Sequence, residues 1–307
     1  MRIAILFNDR LALPALQQLV QSGLVVAVGT SERSSEMIGI MKQIALQAKV
    51  PSVIFSKKNM EADMTEWLQK YKPEVVLVKT FPYKIPSSVL NIPRYGFINF
   101  HYAPLPAYRG SNPLFWMIKE QAEIGGVTIH LMDENYDSGS ILFQRQIPIS
   151  PNDTFGMYST KLAYIGLEMT AELLQSLSSE KLNPQLQQGN QGRWYGRPSV
   201  ADMTINWISM TALQVIALVN ACNPWLKGAI TKINGWTFGI TKASVVELSV
   251  PDNMLPGTIL ELDEDKLIIS CSQHTALKVD ILYCEEGYYL GAQLAAFGFK
   301  NGQKLGT

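Results

Sequence analysis

The chain has 307 residues, 47% hydrophobic and 17% charged, a balance ordinary for a globular protein of one large or two smaller domains. Its 26 basic and 26 acidic residues cancel, but residues 200–307 hold seven Lys, no Arg and ten Asp or Glu, which disfavours binding of a phosphate backbone there. Without a signal-peptide pattern, an apolar run near about 20 residues or a metal-like spacing of its three cysteines, the sequence predicts a cytoplasmic protein with no membrane span, disulfide frame or metal site.

The first hundred residues alternate short apolar runs with segments of helical periodicity. The runs predict buried strands at 2–7, 24–29, 52–55, 74–78 and 96–100. The periodic segments predict helices at 11–22, 34–49 and 60–71. This alternation is typical of an α/β fold with a doubly wound, mostly parallel sheet, which binds ligands at the carboxyl ends of its strands.

The rest of the chain predicts the end of that domain and a second one. A helix from 111 or 112 to about 121, strands at 127–132 and 141–149, and a helix from 151 to about 179 come first. Residues 178–200 are rich in Gln, Asn, Gly and Ser, and a helix at 211–221 precedes short strands typical of a small, OB-like β-barrel. We therefore predict a catalytic domain at 1–183, a linker at 184–202 and a β-barrel-like domain at 203–307.

Several enzyme classes are excluded by missing motifs. No glycine follows the first strand at 8–14, so the dinucleotide fingerprint is absent, and neither a P-loop nor a nucleophile elbow occurs. Asn99 and His101 instead share one face at a strand end, where an amide beside an imidazole suits a developing oxyanion. A carboxylate from the loop ending at Asp137 would hold the imidazole tautomer. A structural strand-end cap is the alternative, and His130 is interpreted as a packed residue.

Three segments together resemble a known family. NFHYAPLPAYRGSNP at 99–113, GVTIHLMD at 126–133 and DSG at 137–139 resemble the formyltransferases that use 10-formyltetrahydrofolate. Asn223-Pro-Trp225 and the segments at 205–207 and 256–260 are similar to the C-terminal barrel of the methionyl-tRNA members. The resemblance covers most of the chain and implies direct formyl transfer to an acceptor amine, without a metal.

The resemblance also implies site residues. It assigns catalysis to Asn99, His101 and Asp137 and substrate binding to Arg109 and Gly110. It assigns the slot for the folate cosubstrate to Phe81, Pro82, Tyr83, Ile85, Asn135 and Tyr136.

The chain departs from the family pattern at three places, of which the first two concern the folate contacts and the third concerns the acceptor. Residues 102–106 replace the usual Ser-Leu-Leu-Pro, and Phe81-Pro-Tyr83 replaces Ala-Tyr-Gly. The tRNA enzymes carry a long basic loop after the second strand. In this chain the corresponding loop, residues 30–36, is short and of mixed charge, which removes phosphate contacts. A small amine, such as a nucleotide-linked amino sugar, is therefore the predicted acceptor. Methionyl-tRNA is the alternative, and a non-catalytic folate-binding protein is a third. Arg193 and Arg197 are either linker charges or contacts to an acceptor phosphate.

Overall fold

The computed structural model describes residues 1–188, 192–224 and 227–306, which divide into two compact units. Trp225 of the barrel motif and residues 189–191 of the predicted linker lie outside the described residues. Unit 1 comprises Met1–Pro113, Ile124–Pro148 and Ser159–Tyr195. Unit 2 comprises Leu114–Glu123, Ile149–Tyr158 and Gly196–Thr307.

Unit 1 is built on a seven-stranded sheet, in the order β3-β2-β1-β4-β5-β7-β8. Its strands are β1 Ile3–Phe7, β2 Val25–Ser31, β3 Ser52–Phe55, β4 Val75–Lys79, β5 Phe97–His101, β7 Ile124–Leu131 and β8 Ile141–Pro148. The first five strands of that order pair in parallel, and β7 and β8 are antiparallel. Every residue of β1 and β4 is buried, as expected for central strands covered on both faces. The predicted doubly wound, mostly parallel sheet is confirmed.

Helices connect these strands with standard local signals. They are α1 Leu13–Gln21, α2 Ser35–Ala48, α3 Met60–Tyr71, α4 Ser87–Leu90, α5 Pro113–Lys119 and α6 Phe155–Ser178. The hydroxyl of Ser34 accepts a hydrogen bond from the Met37 N–H and caps α2, which ends at Lys49 in the left-handed conformation. No helix among the described residues is both long and apolar enough to cross a membrane.

Unit 2 contains an antiparallel sheet that the C-terminal segment closes. Helices α7 Val200–Met203 and α8 Ala212–Cys222 precede strands β10 Ala229–Ile233, β11 Trp236–Val246, β12 Ile259–Leu262, β13 Leu267–Ser270, β14 Ala276–Cys284 and β15 Gly287–Leu290. The backbone of Gly306 exchanges two hydrogen bonds with Lys232 of edge strand β10, and Gln303 accepts one from Ile259 of edge strand β12. The predicted second domain of short strands is confirmed as an antiparallel sheet.

The carboxyl ends of β4 and β5 present different residues on the two sheet faces. Val78 pairs with Asn99, and the next pair in the register is Lys79 with Phe100. Because side chains alternate along a strand, the first pair and the second pair point to opposite faces. Asn99 therefore lies on one face of the sheet, and Lys79 lies on the other.

Lys79 is an unusual core residue because its side chain is fully buried. Its Nζ donates to Thr170 Oγ1 at 3.1 Å and lies 3.2 Å from the ring centroid of Phe100. Burial holds the pKa of Lys79 well below its ordinary value. The amine is thus a hydrogen-bond donor to helix α6 on the face of β4 opposite Asn99.

We expect Lys79→Met to stabilise the protein in a pH-dependent way. Between the folded pKa of Lys79 and the unfolded value of about 10.4, Lys79 is protonated in the unfolded chain but neutral in the folded protein. The free energy of unfolding of the wild type therefore rises with pH in this range. The free energy of unfolding of the variant should exceed that of the wild type most at low pH. The gap should narrow by up to about 1.4 kcal/mol per pH unit towards pH 10. Urea unfolding at a series of pH values measures it.

The matched control for this prediction is Lys42→Met, at an exposed lysine of α2. Its stability difference from the wild type should stay constant over the same pH range. A constant difference for Lys79→Met as well would contradict a depressed pKa at Lys79.

Candidate active site

His101 lies at the end of β5 with its ring held from both sides. It is buried, with 6% of its surface exposed, and its Nε2 lies 2.8 Å from the carbonyl oxygen of Tyr108. A carbonyl can only accept, so Nε2 carries the proton and the lone pair of the neutral ring is on Nδ1. Nδ1 faces Asp137 Oδ1 at 3.6 Å. Burial lowers the pKa of the His101 imidazole, and the Asp137 carboxylate opposes part of that shift.

Asp137 comes from the loop between β7 and β8 and is 14% exposed. Its Oδ2 accepts a hydrogen bond of 2.8 Å from the backbone N–H of Gly110, and its backbone is in the left-handed region, with φ 54°. Burial alone would raise the pKa of Asp137. The imidazoles of His101 and His130 and the Gly110 N–H outweigh that penalty and hold the pKa well below its usual range.

His130 is a site residue that the sequence interpretation missed. It is buried, as predicted, but it pairs with Asn99 in the β5–β7 register, so both side chains lie on one face. Its Nδ1 donates to the Leu131 carbonyl at 2.8 Å, and its Nε2 accepts from Asn99 Nδ2 at 3.1 Å. The antiparallel register of β5 and β7 was the missing information, although the GVTIHLMD motif contains the residue.

The contact to His130 fixes the orientation of the Asn99 amide. Because His130 Nε2 is an acceptor, it receives one hydrogen of the Asn99 NH2 group, and the amide cannot be flipped without losing this bond. The second N–H of the Asn99 amide takes no part in this hydrogen bond. His130 Nε2 is also 3.7 Å from Asp137 Oδ1, so Asn99, His130, Asp137 and His101 form one continuous cluster.

A cleft of about 490 Å³ opens on this cluster. Its walls contain most of the residues predicted for the folate slot and several that were not. They are Val78, Phe81, Tyr83, Lys84, Ile85, Asn99, His130, Met132, Asp133, Asn135, Tyr136 and Asp137. Pro82 is the one predicted slot residue outside this wall. The mixed apolar and polar lining suits a small organic ligand.

Arg109 and Gly110, the predicted substrate-binding residues, lie beside this cluster and have protein partners. The Gly110 N–H binds Asp137, as described, and an Arg109 Nη2 donates to Gln187 Oε1 at 2.5 Å. Arg193 lies with its guanidinium 4.8 Å from the ring centroid of Tyr195. Among the described residues no group of three His, Cys, Asp or Glu is placed to hold a metal ion.

Comparison with known proteins agrees with this geometry. A family model described as formyl transferase matches residues 1–174, and its C-terminal domain model matches residues 199–298. This chain belongs to the formyl transferase family. It is therefore an enzyme of one-carbon group transfer, in a family that uses formyltetrahydrofolate as donor.

Two relatives that align over most of this chain are both named methionyl-tRNA formyltransferase. The methionyl-tRNA formyltransferase of Caldanaerobacter subterraneus subsp. tengcongensis is 31% identical over 91% of both chains. That of Clostridium perfringens is 27% identical over 99% of this chain and 98% of its own. The formyltransferase therefore has relatives aligned over both of its domains.

Solved structures of low identity share the fold. The N-formyltransferase of Helicobacter canadensis, solved with folinic acid and dTDP-3-aminofucose, has a TM-score of 0.68 at 18% identity and covers 94% of this chain and 100% of its own. HypX of Aquifex aeolicus has a TM-score of 0.67 at 20% identity over 96% of this chain. The chain spans about half the length of HypX, 48%.

We predict that Asp137→Asn lowers the pKa of the His101 imidazole further. The carboxylate raises that pKa by stabilising the imidazolium, and the neutral amide of Asn removes this effect. The chain has only three histidines, so NMR titration of the imidazole signals resolves them.

Asp133→Asn is the matched control, because Asp133 lies in the same loop and its carboxylate binds the Ser138 hydroxyl. It should leave the His101 titration unchanged. An unchanged titration in Asp137→Asn would show that the carboxylate does not act on the ring.

Proposed function

We propose that this enzyme transfers the formyl group of 10-formyltetrahydrofolate to a primary amine, with Asn99, His101 and Asp137 as its catalytic residues. The observation that carries the proposal is the cluster of Asn99, Asp137 and His101, of which Asn99 and Asp137 line the cleft. An oriented amide donor lies there beside an ionised carboxylate, and Nδ1 of the His101 imidazole lies 3.6 Å from that carboxylate. These are the groups that an amine attack on a formyl carbon needs.

Each group has a distinct part in the proposed reaction. The acceptor nitrogen attacks the formyl carbon, the carbonyl electron pair moves to oxygen, and the second N–H of Asn99 donates to that oxyanion. The attacking nitrogen then loses a proton to His101 Nδ1, and Asp137 stabilises the imidazolium. The bond from carbon to N10 of the folate then breaks and N10 takes the proton held by His101, which yields the formamide and tetrahydrofolate and restores the neutral imidazole.

The cleft supports the donor assignment. Phe81 and Tyr83 form one apolar wall, with ring centroids 5.8 Å apart and an edge-to-face angle of 86°. Asn135 and Tyr136 line the cleft from the loop before Asp137. Apolar walls with a few polar groups suit the flat ring system of a folate, and Asn99 at the floor would face its formyl group.

For the acceptor, we propose methionyl-tRNA, because relatives matched over about nine tenths of both chains carry the name methionyl-tRNA formyltransferase. The sequence alone favoured a small amine, and the relatives favour its alternative. A cytoplasmic location, predicted from the sequence, stays a prediction.

A small amine is the second candidate, supported by the loop between β2 and α2. The Glu32 carboxylate accepts from the Tyr83 hydroxyl at 3.1 Å, and the guanidinium of Arg33 lies 4.8 Å from the Tyr83 ring centroid. Arg10 forms an ion pair with Glu36. Local partners thus engage the charges of this loop, which leaves few cations there for a tRNA phosphate.

We expect Asn99→Ala and His101→Ala each to lower kcat by about 100-fold, as for loss of one oxyanion donor or of the proton acceptor. The kcat of formyl transfer, followed by release of tetrahydrofolate, measures it. His274→Ala, at an exposed histidine, is the control and should retain full activity. Wild-type kcat in both site variants would refute the assigned roles.

Salt dependence distinguishes the two acceptors. The KM for methionyl-tRNA should rise steeply with added KCl, since bound phosphates release counterions, whereas the KM for a nucleotide-linked amino sugar should rise only slightly. Both acceptors are tested with the same enzyme and donor. Efficient turnover of the amino sugar, with no formylation of methionyl-tRNA at low salt, would select the second candidate.

A further inference from the structure

Residues 185–188 and 192–195, which follow helix α6, belong to unit 1 and contact loops of the candidate active site. We call these residues the strap. Gln185 exchanges two backbone hydrogen bonds of 2.8 Å with Ile141 of β8. At its other end, β9 Trp194–Tyr195 pairs in parallel with β6 Arg109–Gly110. A segment expected to be a linker is thus anchored on both sides of the Asp137 loop.

One end of the strap supports the loop that orients His101. The rings of Tyr108 and Tyr195 stack with centroids 5.1 Å apart and an interplanar angle of 18°. Gly110 has φ +101°, and a Cβ there would lie 2.2 Å from the Tyr195 carbonyl oxygen. The loop therefore packs directly on the strap between the Tyr108 carbonyl, which binds His101, and the Gly110 N–H, which binds Asp137.

Gln187, in the other part of the strap, holds the Asp137 loop. Its half-buried side chain donates from Nε2 to the backbone carbonyls of Asp137 at 2.9 Å and Gly139 at 2.8 Å. Its Oε1 accepts from Arg109 Nη2. One amide thus joins the loop that carries Asp137 to the loop that carries Arg109 and Gly110.

We propose that Gln187 is a positioning residue for formyl transfer, which holds the Asp137 carboxylate against His101. The inference rests on the proposed function for its kinetic consequence, but its geometric claim concerns Asp137 and His101 alone. Asp137 has a left-handed backbone, which costs free energy and persists only where its surroundings impose it. The two hydrogen bonds from Gln187, to the carbonyls of Asp137 and Gly139, hold the loop in that conformation.

The chemistry of this position demands an amide. Two carbonyl oxygens require two donors, and the Arg109 guanidinium requires an acceptor; a Gln side chain supplies all three. In Gln187→Glu the acceptor remains, but two carbonyl oxygens then face a carboxylate. Gln187→Met keeps a side chain of similar length but loses all three side-chain hydrogen bonds of Gln187.

The test compares Gln187→Glu and Gln187→Met with Gln188→Ala, a control at the exposed neighbouring glutamine. Both Gln187 variants should lower kcat by about 10-fold or more, because small displacements of catalytic groups reduce rates steeply. The His101 imidazole should titrate at lower pH in both, since the Asp137 carboxylate moves away while His130, Arg109 and the Tyr108 carbonyl still face the ring. The control should match the wild type in both measurements.

The outcomes separate this inference from the proposed function. If the wild type transfers no formyl group to any acceptor, the proposed function fails, and the NMR titration of the full-length protein still decides whether Gln187 positions Asp137. Unchanged kcat and His101 titration in folded Gln187→Glu overturn the inference, even if the thermal midpoint falls. A His101 shift in Gln187→Glu supports it even if Gln187→Met fails to fold.

Discussion

An ionised carboxylate inside a protein is costly unless charged or polar groups face it, and the site depends on how this cost is met at Asp137. One backbone N–H donates to the carboxylate at 2.8 Å, and positive charge on either imidazole within 3.7 Å stabilises it further. The neighbouring groups are oriented by their own hydrogen bonds. His101 Nε2 donates to the Tyr108 carbonyl, which leaves Nδ1 on the side of Asp137, and His130 Nδ1 donates to the Leu131 carbonyl. His130 Nε2 then accepts from Asn99, which makes Asn99 an oriented donor.

The two faces of the sheet keep this polar cluster separate from the core. Asn99 and His101 lie on the face that opens to the cleft, whereas Lys79, Phe100 and Tyr102 lie on the other. Tyr102, the first departure from the family pattern after the histidine, is 4% exposed, and its hydroxyl donates to the Leu11 carbonyl at 3.3 Å. A substitution on that face changes core packing and leaves the catalytic face unaltered. The departure therefore does not argue against formyl transfer.

Local patterns predicted most of the fold because local causes determine it. Helix α3 begins and ends where its periodicity predicts, and β3 agrees in full. The alternation of strands and helices was enough for the parallel sheet.

The site was less predictable than the fold because it depends on contacts between distant segments. Spacing placed Asn99 and His101 on one face, the polar loop ending at Asp137 supplied a candidate carboxylate, and the resemblance to a family assigned its role. His130 required the register of β7 against β5, and Gln187 required the path of a segment without periodicity. Neither relation leaves a signal in a single sequence, since hydrogen-bond partners 31 and 50 residues apart are set by tertiary structure.

The strap lies between the two segments that match the family models. Residues 175–198 lie in neither matched segment, yet they supply Gln187 and the Tyr195 carbonyl to the catalytic unit. A backbone carbonyl is available from any residue, and one side-chain amide is a small sequence requirement. Weak sequence matching is thus compatible with a close structural role. The catalytic unit extends as far as the contacts that hold Asp137, and these contacts include a segment whose composition is that of a linker.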